Sequence, residues 1–429
     1  MSEIYRVKRY QRKDSIVVDV PGSKSITNRA LMLAALSDGE CILNNVLFSD
    51  DSRAFLDCLL QLGFQVKVEE EIKRVTIQGL AGKIPNRNAR INVRSAGTAA
   101  RFLTVMLAFA GGNYILESSE QMKKRPMEPL LSVLRDANVR IDCMEEEGHF
   151  PFKLQSDHIS ITDIAIDTNI SSQFASALLM AGILLPNGLK VNMLGSRKFG
   201  AYIKITLRMM EQFGIPVMQN GSACTVPGKY IYNQDHYDIE PDLSGACYFY
   251  AMAPLLRTDV TVRKVHLDSI QGDIQFLHVL DQLGCTLEET EIGTLVRGSH
   301  VESYEGISID MKDFSDQTMT MAVLAPFASS ATLIRNVGHI RFQESDRVSA
   351  IINELTRLGI KCEDVKDEEG IRIYPGEIKP ATVETYEDHR MAMAFTLIGL
   401  REDGVSIANP YCCAKTFENY FDIIDELCD

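Results

Sequence analysis

The sequence predicts an α/β protein assembled from six similar units, and three observations carry that prediction. First, a polar cluster followed by a run of small and apolar residues recurs six times, starting near positions 24, 97, 171, 244, 316 and 388. The intervals are 73, 74, 73, 72 and 72 residues, a steadiness that points to internal duplication. Second, five segments share a helix end, a Gly or Asn, and then a strand-like stretch; that Gly or Asn stands at 63, 138, 214, 284 and 359. Third, 429 residues at 45% hydrophobic and 24% charged suit two or more ordinary globular domains. The period is too long for a solenoid repeat and fits a compact unit of two helices and several strands.

The first unit opens with PGSKSITNRALMLAAL, residues 21–36. Pro21 and Gly22 make a turn. Ser23, Lys24, Ser25, Asn28 and Arg29 then crowd about two helical turns, and from Ala30 the stretch is apolar on every side, as a buried helix is. The design returns at Gly97 and Arg101 before FLTVMLAFAGG, at Ser171, Ser172 and Gln173 before FASALLMAGILLPNG, and at Ser244 before ACYFYAMAPLL. It returns again at Asp316 before TMTMAVLAPFA and at Asp388 and Arg390 before MAMAFTLIGL. The second helix of each unit is amphipathic and stops at its C′ residue, as in CLLQLGFQV, VLRDANVRI, MMEQFGIPV, VLDQLGCTL and ELTRLGIKC. TFENYFDIIDEL is a sixth such helix, without a strand after it.

Composition excludes several classes. A formal net charge of -14 disfavours nucleic acid and acidic membranes, so neither partner is expected. The ten Cys form no close CxxC pair, Cys412 and Cys413 are adjacent, and the eight His are scattered. Free thiols in a reducing cytosol fit this better than a zinc site or a disulfide framework. The first 18 residues hold no apolar run of a signal peptide, and nowhere do 18 apolar residues follow one another. A cytoplasmic protein is expected. No GxxxxGK[ST] or GxGxxG loop supports nucleotide binding.

The helix starts carry the chemistry. A helix N-terminus presents unpaired N–H groups and about half a positive charge, so it favours anions. Side-by-side helices would share one face of N-termini, and two such faces turned toward each other would make a positive cleft. Capping accounts for Ser25, Ser171 and Asp316. It does not account for Lys24, Arg29, Arg101 and Arg390, whose charge opposes the dipole, and such local rule-breaking is expected at functional sites. MKKRPMEPLL adds three cations that, read alone, are a solvated surface run. IRFQESDRVSAIINEL adds Arg341, Glu344, Asp346 and Arg347, and CCAKTFENYF adds Lys415. Arg grips carboxylate or phosphate with two N–H groups and Lys acts as a point charge, so the set suits a ligand bearing both anions. Asp316 and Glu344 are candidate proton carriers; nearby cations lower a carboxylate pKa, which favours a base. An N-cap for Asp316 and a surface ion pair for Glu344 are the plainer alternatives. Lys24 could donate a proton if neighbouring cations depress its pKa.

The stretches PGSKSITNRALMLAAL, AGTAAR, MKKRP, SSQFASALLMA, QGDI, SDQTMT, ESDR, EDHRMAM and AKTF, in that order from about residue 20 to residue 421, resemble the 5-enolpyruvylshikimate-3-phosphate (EPSP) synthase family, the 3-phosphoshikimate 1-carboxyvinyltransferases. The resemblance implies the two-domain enolpyruvyl transferase fold, each domain of three βαβαββ units, with a cleft between them. It places residues 1–20 and 241–429 in one domain and 21–240 in the other. It implies transfer of the enolpyruvyl group of phosphoenolpyruvate to the 5-hydroxyl of shikimate 3-phosphate, without metal or organic cofactor, by a monomer of the class that glyphosate targets. By the same resemblance, Lys24, Asp316 and Glu344 are catalytic. Lys24, Ser25, Arg29, Ser171, Ser172, Gln173, Tyr202, Asp316, His339 and Gln343 meet shikimate 3-phosphate. Lys24, Gly97, Arg125, Gln173, Arg347, Arg390 and Lys415 meet phosphoenolpyruvate.

The pattern also departs from the family. Gln343 stands where members often have Lys, His339 where an Asn contacts the substrate, and Phe199 where a Ser joins the phosphate site. Ser95 and Phe102 flank the AGT motif in place of Asn and Pro. Arg197 and Lys198 are candidates to compensate. Two rival functions follow: a UDP-N-acetylglucosamine 1-carboxyvinyltransferase, disfavoured by PGSKS, SSQF and DHRMAM, and a non-catalytic anion-binding paralogue, disfavoured by the joint presence of Lys24, Asp316, Glu344, Arg347 and Arg390.

Overall fold

The computed structural model of the chain describes residues 3–11, 15–157, 159–195 and 198–429, with every side chain there except that of Lys415. The chain divides into two compact units, Gly22–Ile239 and the pair Met1–Pro21 with Glu240–Asp429. Each is built from the predicted repeat.

The middle repeat of Gly22–Ile239 shows the plan. Strand Asn88–Asn92 leads into helix Gly97–Ala110, which returns as strand Gly112–Glu117 parallel to the first. Helix Glu128–Asp136 follows, and strands Arg140–Cys143 and Phe152–Ser156 close the sheet antiparallel. This is βαβαββ in chain order. The five predicted C′ positions all adopt the left-handed backbone that ends a helix and turns it into a strand: φ is 87° at Gly63, 66° at Asn138, 86° at Gly214, 95° at Gly284 and 88° at Gly359.

Sheets borrow strands from distant segments. In Gly22–Ile239, the first repeat receives His236–Asp238 from the far end of the unit, parallel to Asp38–Asn44. In the other unit, Ser15–Val18 lies parallel to Asp259–Val262. The helix Tyr420–Cys428 has no strand after it, as expected, but its sheet is completed from the other end of the chain. Ile4–Arg6 pairs antiparallel with Val405–Ala408, which lies parallel to Ala381–Val383. Tyr5 fixes that N-terminal segment by stacking at 4.4 Å on Phe421 and donating to Asp425 Oδ1 at 2.9 Å.

The first helix of each repeat is the buried one. Every residue from Ile26 to Leu36, from Leu243 to Leu255 and from Thr318 to Leu324 is buried. Burying an apolar side chain is worth about 1.5–3 kcal/mol, so these runs anchor the helices and fix where their N-termini lie. Two capping expectations fail. Helix Lys24–Leu36 has Ser23 at its N-cap without a side-chain bond, and Ser25 lies inside the helix. Asp316 lies in a 3-10 turn, Ser315–Gln317, that precedes Thr318–Leu324, and its carboxylate faces two arginines instead of the backbone. Among the described residues, side-chain caps form at Ser49, Ser119, Ser171, Asp242, Asp346 and Asp388.

Candidate active site

In Gly22–Ile239 three buried helices begin with Lys24, Gly97 and Ser172. Lys24 is the first residue of its helix, with Nζ 3.7 Å from Asp51 Oδ2. Arg29 lies inward and is buried. Its Nε donates to Thr206 Oγ1 at 2.8 Å, Nη1 to Ser25 O at 2.9 Å, and Nη2 to Tyr202 O at 3.0 Å and Ser176 Oγ at 3.3 Å. Burial pulls its pKa down to about 10. All three nitrogens are thus engaged within the unit, and Arg29 braces Lys24–Leu36 against Ser172–Ala181 and Ala201–Gln212, the helix that carries Tyr202.

The MKKRP run divides by residue. Lys123 pairs with Glu120 at 2.8 Å and Glu145 at 2.9 Å, and Lys124 is exposed, as a surface run would be. Arg125 turns inward to Gly97. A Cβ on Gly97 would lie 2.7 Å from Arg125 Nη1 and 2.9 Å from Arg101 Nη1, so a larger residue there would push these two guanidiniums from their present positions. Arg101 is buried, donating to Gly97 O at 3.1 Å, with its guanidinium over the Phe174 ring and Nε without a hydrogen-bond partner among the described residues. Burial and the nearby Arg125 push its pKa well down. Ser171 Oγ accepts from Gln173 N at 3.2 Å, and the buried Gln173 Oε1 has no hydrogen-bond partner among the described residues. Ser172 is the first residue of that helix. Lys198 and Phe199 are described and Lys198 is exposed, whereas Arg197 lies outside the described residues.

The other unit gathers its candidates around one guanidinium. Arg347, the first residue of helix Arg347–Arg357, is 1% exposed. Its Nε donates to Asp388 Oδ2 at 2.7 Å, Nη1 to Asp316 Oδ1 at 3.1 Å, and Nη2 to Glu344 Oε2 at 2.9 Å and Asp388 Oδ1 at 3.2 Å. Gln343 Oε1 accepts from the same Nη1. Arg390 Nη2 donates to Asp316 Oδ2 at 2.9 Å. Asp316 therefore sits between two arginines, and Arg347 links it to Glu344. His339 Nε2 meets Ser315 Oγ at 2.8 Å, beside Asp316 in sequence. Glu344 is thus an ion-pair partner, but of a buried arginine. The side chain of Lys415 lies outside the described residues.

Electrostatics follow from burial. Desolvation alone would pull Arg347 down, but Asp388, Glu344 and Asp316 together hold it above the ordinary arginine range. Burial raises Asp388 and Arg347 outweighs it, leaving the carboxyl below its usual range. Around Arg347 and Arg390 stand Asp316, Asp388, Glu344 and the buried Asp273, so acids outnumber the described cations. The described residues around these two arginines are thus acid-rich, with the candidate proton carriers Asp316 and Glu344 among them.

Three residues escaped the sequence reading of the site. Asp388 was visible only as part of DHRMAM, yet it caps its helix through Arg390 N at 3.0 Å and holds Arg347. Ser244 and Asp273 were visible only as a helix start and as QGDI. Nothing in their local sequence reveals that they meet, 29 positions apart.

Two units of repeated βαβαββ sheets have the architecture of the enolpyruvyl-transferase type of fold. The comparisons narrow this. The family model for EPSP synthase (3-phosphoshikimate 1-carboxyvinyltransferase) matches residues 10–424. The 3-phosphoshikimate 1-carboxyvinyltransferase of Trichormus variabilis is 41% identical over 405 residues, 94% of both chains. That of Neisseria meningitidis serogroup B is 37% identical over 432 residues, covering 100% of this chain and 99% of its own. The EPSP synthase structure from Acinetobacter baumannii overlays with a TM-score of 0.83 at 23% identity, covering 100% of this chain and 98% of that one, which shows a shared fold. The chain belongs to the EPSP synthase family. Among the described residues no helix is long and apolar enough to cross a membrane, and no group of three or more His, Cys, Asp or Glu could hold a metal ion.

Proposed function

We infer that the chain transfers the enolpyruvyl group of phosphoenolpyruvate to the 5-hydroxyl of shikimate 3-phosphate, releasing phosphate, as a monomeric cytoplasmic enzyme. The observation that carries this beyond family membership is the Asp316 carboxylate held between Arg347 and Arg390, with Glu344 on the same Arg347 guanidinium. A base fixed by two cations is oriented and ionised before substrate arrives, and cations already in place can neutralise a polyanion without reorganising.

In this scheme Asp316 takes the 5-hydroxyl proton as the oxygen bonds to C2 of phosphoenolpyruvate. Glu344 or Lys24 delivers a proton to C3, turning the methylene into a methyl. A proton then leaves that methyl as the C2–O bond to phosphate breaks, restoring the double bond and freeing phosphate. Ser171, Ser172, Ser25, Gln173, Tyr202, His339 and Gln343 are assigned to shikimate 3-phosphate. Gly97, Arg125, Gln173, Arg347, Arg390 and Lys415 are assigned to phosphoenolpyruvate, with Lys24 serving both. Arg29, engaged at every nitrogen, supports the first group by bracing Tyr202 and Ser25.

Phosphate release measured with phosphoenolpyruvate plus shikimate 3-phosphate, and separately plus UDP-N-acetylglucosamine, tests the assignment. Turnover with the first acceptor alone is expected. Turnover with only the sugar nucleotide, or tight shikimate 3-phosphate binding with no release, overturns it. Lys24→Met is expected to lower the rate about 10²–10³-fold, the cost of losing one preorganised charge contact, with the fold intact.

A further inference from the structure

Behind the Asp316–Arg390 pair lies a buried carboxylate to which nothing above gives a role. Asp273 sits in the 3-10 turn Gly272–Ile274 and is 8% exposed. Its Oδ2 accepts from the Ser244 hydroxyl and from Gln317 Nε2, the latter at 3.2 Å. Ser244 Oγ in turn accepts from Arg390 Nη2 at 3.5 Å, the same nitrogen that donates to Asp316. Gln317 adjoins Asp316 in the Ser315–Gln317 turn, is fully buried, and donates from the same Nε2 to Ser244 O at 3.4 Å.

One carboxylate oxygen therefore reaches both members of the pair from behind. One arm runs through Ser244 to Arg390; the other runs through Gln317 to the turn that carries Asp316. A buried carboxylate with no direct cation is costly, and two neutral hydrogen bonds offset that cost only in part. A residue needed only to fill space would be apolar.

We propose that Asp273 is a positioning residue for the transfer reaction, fixing Arg390 and the Asp316 turn through Ser244 and Gln317. It does not touch substrate; it sets the geometry in which Asp316 meets the 5-hydroxyl, and so it rests on the function inferred above. The charged and titratable groups facing it are Asp316 and Arg390, with Cys247 on helix Leu243–Leu256, the helix that Asp242 caps. Burial, then Asp316, raise the Asp273 carboxyl to about 6, and Arg390 opposes the rise. Below that pH the group gains a proton and loses the charge that strengthens both arms. Activity is then lost on the acid side.

The test is the pH profile of kcat for phosphate release by the parent protein and by Asp273→Asn, with shikimate 3-phosphate affinity measured alongside. The amide keeps the shape and can still offer one oxygen to both donors, but it removes the negative charge that strengthens both bonds and the group that takes up a proton below about pH 6. A loss in kcat of about 10²-fold is expected, since a misplacement of about 1 Å costs that much. Substrate affinity should stay within a few-fold, and the acid limb near pH 6 should vanish. Parent-like kcat with the acid limb intact overturns the proposal. Should Asp273→Asn fail to fold, Ser244→Ala cuts the relay at its midpoint, and an unchanged kcat there overturns it equally. A parent protein that releases no phosphate overturns the inferred function, whereas an active parent with an unaltered variant overturns the role of Asp273 alone.

Discussion

Arg347→Met measures how much of the acid-rich cluster rests on one guanidinium. Arg347 is 1% exposed and Asp388 fully buried, and the two share contacts of 2.7 and 3.2 Å. Methionine refills much of the stem and supplies no donor. Asp388 would keep the Ser345 hydroxyl and the Arg390 amide, each at 3.0 Å, but lose its charge partner. Asp316 would keep Arg390. Breaking a buried ion pair by removing one partner costs about 3–5 kcal/mol, so a loss of about 4 kcal/mol is expected at neutral pH. The sign of the pH dependence separates this from a packing defect. In the parent, Asp388 lies below its unfolded value, so its contribution is complete above about 3.9 and fades only as pH falls through the depressed folded value. In the variant, burial acts without the cation and lifts the folded value above the unfolded one. That penalty is full above the raised value and is relieved as pH falls toward about 3.9. The stability gap between the two proteins must therefore narrow on acidification. The chain has no Trp, so urea unfolding is followed by far-UV circular dichroism at pH 8 and pH 5, with each transition fitted separately because the two units need not unfold together. A gap under about 1 kcal/mol at pH 8, or one equal at both pH values, refutes the reasoning.

Other consequences are as direct. Asp316→Asn should cut kcat about 10²–10⁴-fold, as expected for a lost general base, while phosphoenolpyruvate affinity holds or rises because Arg347 and Arg390 each lose an anionic competitor; isothermal titration and phosphate release together check this. Gly97→Ala should raise KM for phosphoenolpyruvate about tenfold or more with little loss of kcat, because its methyl would displace Arg125 Nη1; steady-state kinetics decide, and an unchanged KM counts against the role of Arg125. Deleting residues 1–11 should destabilise the unit holding Glu240–Asp429 by about 3 kcal/mol or more, from the lost burial of Tyr5, Val7 and Tyr10 and the opened Val405–Ala408 edge; the shift appears in the urea midpoint.

Much of the fold was legible because duplication prints the same physics six times. Gly63, Asn138, Gly214, Gly284 and Gly359 could be identified as helix ends from sequence, since a left-handed C′ position demands such residues. The buried helices were legible from their all-round apolar runs. What was hidden is long-range. That His236–Asp238, Ser15–Val18 and Ile4–Arg6 complete sheets whose other strands are far away follows from how the chain closes on itself, not from any local pattern. At the site, the sequence marked Lys24, Arg29, Arg101 and Arg390 because a cation at a helix start breaks a local rule, and Asp316, Glu344 and Arg347 as charged residues at helix starts, whereas Arg125 stood out only through the family resemblance. It could not mark Asp273 or Ser244, whose meaning lies in partners on other elements. A cap was the plainer alternative for Asp316, because an Asp before an apolar helix has that appearance until its carboxylate is seen to face arginines.

The six helix starts share a scaffold but not an electrostatic design. In Gly22–Ile239, Arg29 and Arg101 make their described bonds to hydroxyls, carbonyls and a thioether, and no described carboxylate bonds either one. Buried positive charge left in that state is costly, and a fixed anion relieves the cost, which suits phosphate and carboxylate groups that must be held still. In the other unit each arginine is already matched by acids, with Asp316 shared between them. Such a cluster holds Asp316 and Glu344 at set positions, and an anion that meets Arg347 or Arg390 there competes with carboxylates already bound. The same repeated frame therefore carries two electrostatic designs, and the difference lies in which helix starts have carboxylates beside their arginines.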